Sequence, residues 1–173
     1  LWKWLNGHKS SVQCLLYLRG DGEKNYLLSG SDDSHIKVWD LTNNFTCRIT
    51  LNGHTSHVKT IIDFPALSKE SIISGSEDKT IKIWNYLSGE CVKTLKGHDG
   101  GVIYLINLLH TKPKEGEIDA YRFFASSSKD NQIRIWDYET SNCNILQGHR
   151  SDVTCMLLMK SNDMHVIVSG SRD

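Results

Sequence analysis

The chain has 173 residues with 20 basic and 20 acidic side chains, so no long-range field draws it to nucleic acid or to an anionic membrane. Its composition is that of a globular domain, which excludes a disordered or collagen-like chain. The most apolar stretch, Val102 to Leu109, is broken by Asn107 and is far shorter than the roughly 20 residues of a spanning helix.

In chain order, Leu1 to Leu5 reads as the closing strand of a preceding unit. A full unit follows: Gly7-His8, an apolar run Val12 to Leu18, a strand at Tyr26-Leu27-Leu28, the turn Ser29-Gly30-Ser31-Asp32-Asp33, a strand Ile36-Lys37-Val38-Trp39 followed by Asp40, and a last strand Thr46 to Leu51. The next unit repeats that order with Gly53-His54, Val58 to Phe64, Ser71-Ile72-Ile73, Ser74-Gly75-Ser76-Glu77-Asp78, Ile81-Lys82-Ile83-Trp84 before Asn85, and Cys91 to Leu95. The third has Gly97-His98, Val102 to Leu108, Phe123-Phe124-Ala125, Ser126-Ser127-Ser128-Lys129-Asp130, Ile133-Arg134-Ile135-Trp136 before Asp137, and Cys143 to Leu146. A fourth begins at Gly148-His149, continues through Val153 to Leu158 and Val166-Ile167-Val168, and reaches Ser169-Gly170-Ser171-Arg172-Asp173.

The strands that end in Trp alternate β-branched residues with bases, as half-buried strands do. The apolar runs after each Gly-His suit strands buried on both faces. The Gly-His pairs at positions 7, 53, 97 and 148 stand 46, 44 and 51 residues apart. The third interval is longer because of His110 to Asp119, a mixed-charge segment with Pro113 and Gly116 between the first and second strands. Such a loop is as often a tolerated insertion as a functional one.

Three signatures in fixed order at a period near 45 resemble the WD40 repeat family, and the resemblance covers the chain from Leu1 to Asp173. It implies an all-β fold, a WD40 β-propeller fragment. The expected parts are a leading strand d at 1–5, blades at 6–51, 52–95 and 96–147, and the first strands of a further blade at 148–173. A closed ring takes about 4–8 blades, so the remaining blades are expected from a missing part of the parent chain.

Each repeat offers Ser, His and Asp, the residue types of a nucleophilic triad. Repetition argues against catalysis, which needs one constellation, whereas a scaffold needs the same brace in every blade. The resemblance implies that brace: the indole N–H, a hydroxyl, the imidazole and a carboxylate form one buried hydrogen-bond network. The sets are His8, Ser29, Asp33, Trp39; His54, Ser74, Asp78, Trp84; and His98, Ser126, Asp130, Trp136. Either serine of each Ser-x-Ser could close the network.

One histidine per blade does not suit convergence on a metal ion, and no phosphate-binding G-x-x-x-x-G-K-[ST] loop occurs. No cofactor is expected. The five cysteines contain no C-x-x-C pair and recur at repeat positions, Cys14 and Cys155 after a Gly-His and Cys47, Cys91 and Cys143 after a Trp. They read as packing residues in a reducing compartment, cytoplasmic or nuclear.

The family precedent places partners, proteins or peptides, on the face carrying the d–a and b–c loops. Three residues after each histidine that face carries Ser11, His57, Gly101 and Asp152, and six after it Cys14, Thr60, Tyr104 and Cys155. Before each turn aspartate stand Asp32, Glu77, Lys129 and Arg172. His57, Tyr104, Ser11, Asp152, Lys129 and Arg172 are the candidate contacts, His57 and Tyr104 foremost. Two functions fit: a non-catalytic interaction scaffold, or a substrate- or phosphopeptide-recognition subunit of a larger ubiquitin-ligase-like or RNA-processing assembly. Phosphopeptide recognition needs clustered arginines, and Arg19, Arg48, Arg122, Arg134, Arg150 and Arg172 show no clustering at matching positions of that face.

Overall fold

A computed structural model of the chain describes residues 3–20, 24–65, 67–108, 122–161 and 164–173. The described elements are fourteen strands: β1 Val12–Arg19, β2 Asn25–Ser31, β3 Ile36–Asp40, β4 Thr46–Leu51, β5 Val58–Asp63, β6 Ser71–Ser76, β7 Ile81–Asn85, β8 Cys91–Leu95, β9 Val102–Asn107, β10 Phe123–Ser128, β11 Ile133–Asp137, β12 Cys143–Leu146, β13 Val153–Ser161 and β14 Met164–Ser171. They form three four-stranded sheets in chain order and a two-stranded one, β13 with β14. All the pairings are antiparallel between consecutive strands. Among the described residues no helix is long and apolar enough to cross a membrane.

The strand positions agree with the repeat reading, with one exception. Residues 3–5 form no strand, and the first two residues of that expected strand d lie outside the described ones. A strand d pairs with the strand c beside it, and among the described residues each strand c already has its own strand d: β3 with β4, β7 with β8 and β11 with β12. The segment from His110 to Asp119 also lies outside the described residues.

The sheets stack in a row through their inner strands. β5 lies against β1 and β2, β9 against β5 and β6, and β13 against β9 and β10. Each junction is an apolar cluster: Leu28, Val38 and Leu51 meet Ile61, Ile72 and Trp84 at the first, Ile73, Ile83 and Leu95 meet Leu105, Phe124 and Trp136 at the second, and Ala125 and Ile133 meet Val153 and Met156 at the third. This burial is the main source of cohesion between blades.

The inner strands at the two ends of the row depart from the expectation of burial on both faces. In β1, Leu15 and Tyr17 are exposed, as are Leu157 and Met159 in β13. Their second faces have no sheet packed on them, whereas β5 and β9 stand between neighbours.

Candidate functional site

Each b–c turn reverses the chain in a few residues by placing the one after its aspartate in the left-handed region: Ser34 at φ 69°, Lys79 at 68° and Asn131 at 67°. The turn aims the aspartate at the d–a loop of its own blade. One carboxylate oxygen accepts the backbone N–H two residues on, from His35 at 3.1 Å, Thr80 at 2.9 Å and Gln132 at 3.0 Å. The other accepts the N–H that follows the Gly-His histidine, from Lys9 at 2.8 Å, Thr55 at 3.0 Å and Asp99 at 3.0 Å.

That second oxygen also takes the imidazole Nδ1: His8 to Asp33 at 2.9 Å, His54 to Asp78 at 2.8 Å, His98 to Asp130 at 2.7 Å. Each Nε2 lies 2.7 Å from the Oγ of Ser29, Ser74 or Ser126. The same Oγ atoms accept the indole N–H of Trp39 at 2.8 Å, Trp84 at 2.8 Å and Trp136 at 2.7 Å. An indole nitrogen only donates. Each serine hydroxyl thus accepts from the indole on one side and meets Nε2 on the other, while Nδ1 faces the carboxylate.

The structure assigns the two serines different work. The first of each Ser-x-Ser joins His to Trp. The second caps the turn: Ser31, Ser76 and Ser128 accept the N–H of Asp33, Asp78 and Asp130, each at 3.1 Å. In the last repeat His149 meets Asp173 at 3.2 Å and Ser169 at 2.8 Å.

Burial by itself raises the carboxyl pKa values of Asp33, Asp78 and Asp130. The bonds converging on each carboxylate from the imidazole and the loop N–H groups outweigh it and hold all three below the ordinary value of 3.8. Burial lowers the pKa of His98, against the pull of Asp130, in keeping with a neutral ring. Ser74 and Ser126 are wholly buried and Ser29 nearly so, and each hydroxyl already serves two partners. No face of these serines is open to a substrate carbonyl, so the arrangement braces a turn and offers no nucleophile.

Among the described residues no three His, Cys, Asp or Glu side chains gather to hold a metal ion. The cysteines are free thiols. Burial pushes Cys14 up to about 12, but Cys47, Cys91 and Cys155 are exposed, so packing does not account for all five as expected.

The residues chosen for the candidate face converge in pairs. The carbonyls of Ser11, His57 and Gly101 accept the N–H of Asp32, Glu77 and Lys129, each at 2.9 Å, and Asp152 accepts that of Arg172 at 3.1 Å. Above this backbone tie the side chains reach sideways. His57 Nδ1 lies 3.3 Å from Asp32 of the preceding blade, and Lys129 Nζ lies 2.8 Å from Glu77 of its own predecessor. Arg172 contacts Asp152 within one blade at 3.5 Å.

Sequence reasoning missed Gln13 and Lys59, which extend the first bridge: Gln13 donates to Asp32 at 2.7 Å and accepts from Lys59 at 2.9 Å. Both stand five residues after a Gly-His histidine, a position whose variation between repeats was the available signal. Tyr104 is 40% exposed, whereas its repeat counterpart Thr60 is buried and Cys14 half-buried.

Sheets of this order, each closed by the same Gly-His, Ser, Asp and Trp brace, are blades of a β-propeller of the WD40 class. The family model of the tRNA methyltransferase TRM82 WD40 domain matches residues 3–100, and that of the WD domain, G-beta repeat, matches 89–137 and 140–173. The chain belongs to the WD40-repeat family.

Among curated relatives, nuclear distribution protein nudF 1 of Talaromyces marneffei is 34% identical over 158 residues, 84% of this chain and 34% of that protein. Coatomer subunit beta'-2 of Arabidopsis thaliana is 43% identical over 63 residues, 36% of this chain and 7% of that protein. Cell division control protein 4 of Candida albicans is 34% identical over 106 residues, 61% of this chain and 14% of that protein. The chain thus spans about a third or less of the length of these relatives.

Proposed function

We propose that this chain is a non-catalytic protein-interaction scaffold whose partners dock on the face carrying the d–a and b–c loops. The supporting observation is that an identical hydrogen-bonded frame carries a different side chain in every blade. Where the frame is fixed by His, Ser, Asp and Trp, the residues above it run Ser11, His57, Gly101 and Asp152, and Asp32, Glu77, Lys129 and Arg172. A rigid frame under variable loops suits recognition.

Tyr104 supplies an exposed aromatic anchor at the inner strand of the third blade, the residue type that dominates interface energetics. The partners are proteins or peptides, met inside the cell. The bridged pairs His57 with Asp32 and Lys129 with Glu77 fix neighbouring blades in relative position and present a net polar rim around that anchor.

Quantitative affinity capture with the full chain tests the reading. Tyr104→Ala is expected to reduce capture of a defined subset of proteins at least tenfold, about 1.4 kcal/mol, with the melting temperature unchanged, and Lys129→Glu to reduce it likewise with a lowered melting temperature, since it breaks the pair with Glu77. Capture of the same proteins in the same amounts by both variants refutes the docking face.

A further inference from the structure

At the end of the sheets opposite the braces, the first two blades leave an open cavity of about 390 Å³. This lies within the usual range of about 300–1,000 Å³ for ligand sites. Behind it lie Tyr26 and Tyr86, both almost fully buried, their rings edge to face at 5.6 Å. Four cations stand around this wall: Arg19 at the end of β1, Lys24 just before β2, Arg48 in β4, and Lys69 just before β6. Gly20 N–H donates to the Lys24 carbonyl at 2.8 Å, which fixes the spacing of the first two. The Arg48 guanidinium is held 6.0 Å over the Tyr26 ring.

Arg19, Lys24 and Arg48 form no salt bridge with a described residue, although Asp63 and Glu70 share the same lining and Arg48 helps to lower the pKa of Asp40. Burial raises the Asp63 pKa. Among the described lining residues four bases stand against two carboxyl groups, a surplus of positive charge that an anion would offset.

The repeat frame does not dictate this cluster. Arg48 is the extra residue of a bulge where β4 pairs with β3. The equivalent extra residue of β8 is the exposed Val92, and β12 pairs with β11 without interruption. At the next junction the corresponding space is filled: Phe64 packs edge to face on Tyr138 at 5.2 Å, and Lys93 is spent on the carbonyls of Tyr138 and Glu139. Of these bulges only that of the first blade carries an arginine.

We propose that the cavity between the first two blades, lined by Arg19, Lys24 and Arg48, receives a phosphomonoester carried on a segment of a partner protein. A phosphorylated side chain brings about −1.5 to −2 charges and three acceptor oxygens, a match for two guanidinium groups and an ammonium. Asp63 and Glu70 supply acceptors for peptide N–H groups and repel a polyanion. A polynucleotide needs a continuous basic track, whereas here the bases are confined to one depression in a chain with balanced charge. The site lies at the opposite end from the proposed docking face and does not depend on it.

The test is a ¹⁵N–¹H NMR titration of the full chain with an alanine–glycine hexapeptide bearing one phosphothreonine. The unphosphorylated hexapeptide, inorganic phosphate and hexauridylate serve as comparators. The phosphopeptide is expected to shift the amides of Arg19, Gly20, Lys24 and Arg48, with the unphosphorylated peptide inert and inorganic phosphate binding the same amides at least tenfold more weakly. Arg48→Gln is expected to weaken phosphopeptide binding about tenfold with spectral dispersion unchanged, and Lys24→Gln, on an exposed side chain, gives the same test should Arg48→Gln unfold.

Equal response to both peptides, no response at millimolar phosphopeptide, or affinity unaltered in the variants overturns the proposal. Inorganic phosphate binding as tightly as the peptide overturns the peptide part, and hexauridylate binding more tightly assigns the cavity to RNA instead. Tyr104→Ala leaves this titration unchanged, so failure here and failure of the docking face are read separately.

Discussion

Replacing Asp78 by Ala removes the acceptor at the centre of the second brace. Four hydrogen bonds end on its carboxylate: His54 Nδ1 at 2.8 Å, Thr55 N–H at 3.0 Å, Thr80 N–H at 2.9 Å and the Thr80 hydroxyl at 2.6 Å. Thr55 is exposed and Thr80 half-buried, so water replaces their share, but the His54 side chain is only 1% exposed. Its N–H is left with the Thr80 hydroxyl at 3.3 Å, a poor substitute. A buried donor without its charged partner costs about 1–3 kcal/mol, and the upper end applies because the lost acceptor is ionised. At about 3 kcal/mol the melting temperature falls by roughly 6–12 °C, given about 2–4 °C per kcal/mol in a domain of this size. Asp78→Asn keeps an acceptor toward His54 and loses about half as much. Differential scanning calorimetry of the full chain reads both. A melting temperature within about 2 °C of wild type for Asp78→Ala refutes the idea that the brace holds the turn.

Gly75→Ala places a methyl 2.6 Å from Val102 Cγ1 and 2.9 Å from Thr60 Cγ2 inside the second junction. Overpacking there costs about 1–3 kcal/mol, whereas Gly148→Ala, with nothing within 4 Å, stays within about 0.5 kcal/mol of wild type by urea unfolding. The third blade carries Ser127 at the Gly75 position, and its wholly buried hydroxyl has no partner among the described residues. Ser127→Ala is therefore expected to leave the urea midpoint unchanged or raise it. Stability also depends on pH in a fixed direction. Asp33, Asp78 and Asp130 are depressed below 3.8, so below about pH 4 the unfolded chain binds protons that the folded one refuses, and their contribution is lost as pH falls toward the folded values. His98 is depressed below 6.5, so a shallower loss begins under that pH for the same reason. Urea midpoints from pH 8 to 3 check both, and a midpoint rising on acidification contradicts them.

Strand positions were legible because a propeller blade repeats its chemistry: Trp39, Trp84 and Trp136 each end a strand whose alternation survives every repeat. The serine that closes the brace was not legible. Ser29 and Ser31 are two residues apart on one strand and face the same way. Register alone separates them, since Ser29 stands opposite Lys37 of β3, and the paired residues of β2 end at Gly30. The bridges from Asp32 to His57 and from Glu77 to Lys129 showed in the sequence only as differing residues at matching repeat positions, because their pairing depends on the offset between blades. At the far end Arg19 and Arg48, on the two edge strands of one sheet, line the same cavity, which linear spacing does not reveal. Of the strand expected at 1–5, residues 3–5 form none, because a strand is a property of a pair.

The braces join residues close in the chain: His54 and Asp78 are 24 apart, Ser74 and Trp84 10. A nascent polypeptide can thus finish each blade in turn as it leaves the ribosome, adding a sheet to the row already formed. The apolar flank then at the growing end, Ile73, Ile83 and Leu95 once the second blade has formed, stays uncovered until the next 45 or so residues arrive, roughly 2–9 s at 5–20 residues per second. For that interval the leading flank is what a chaperone would meet.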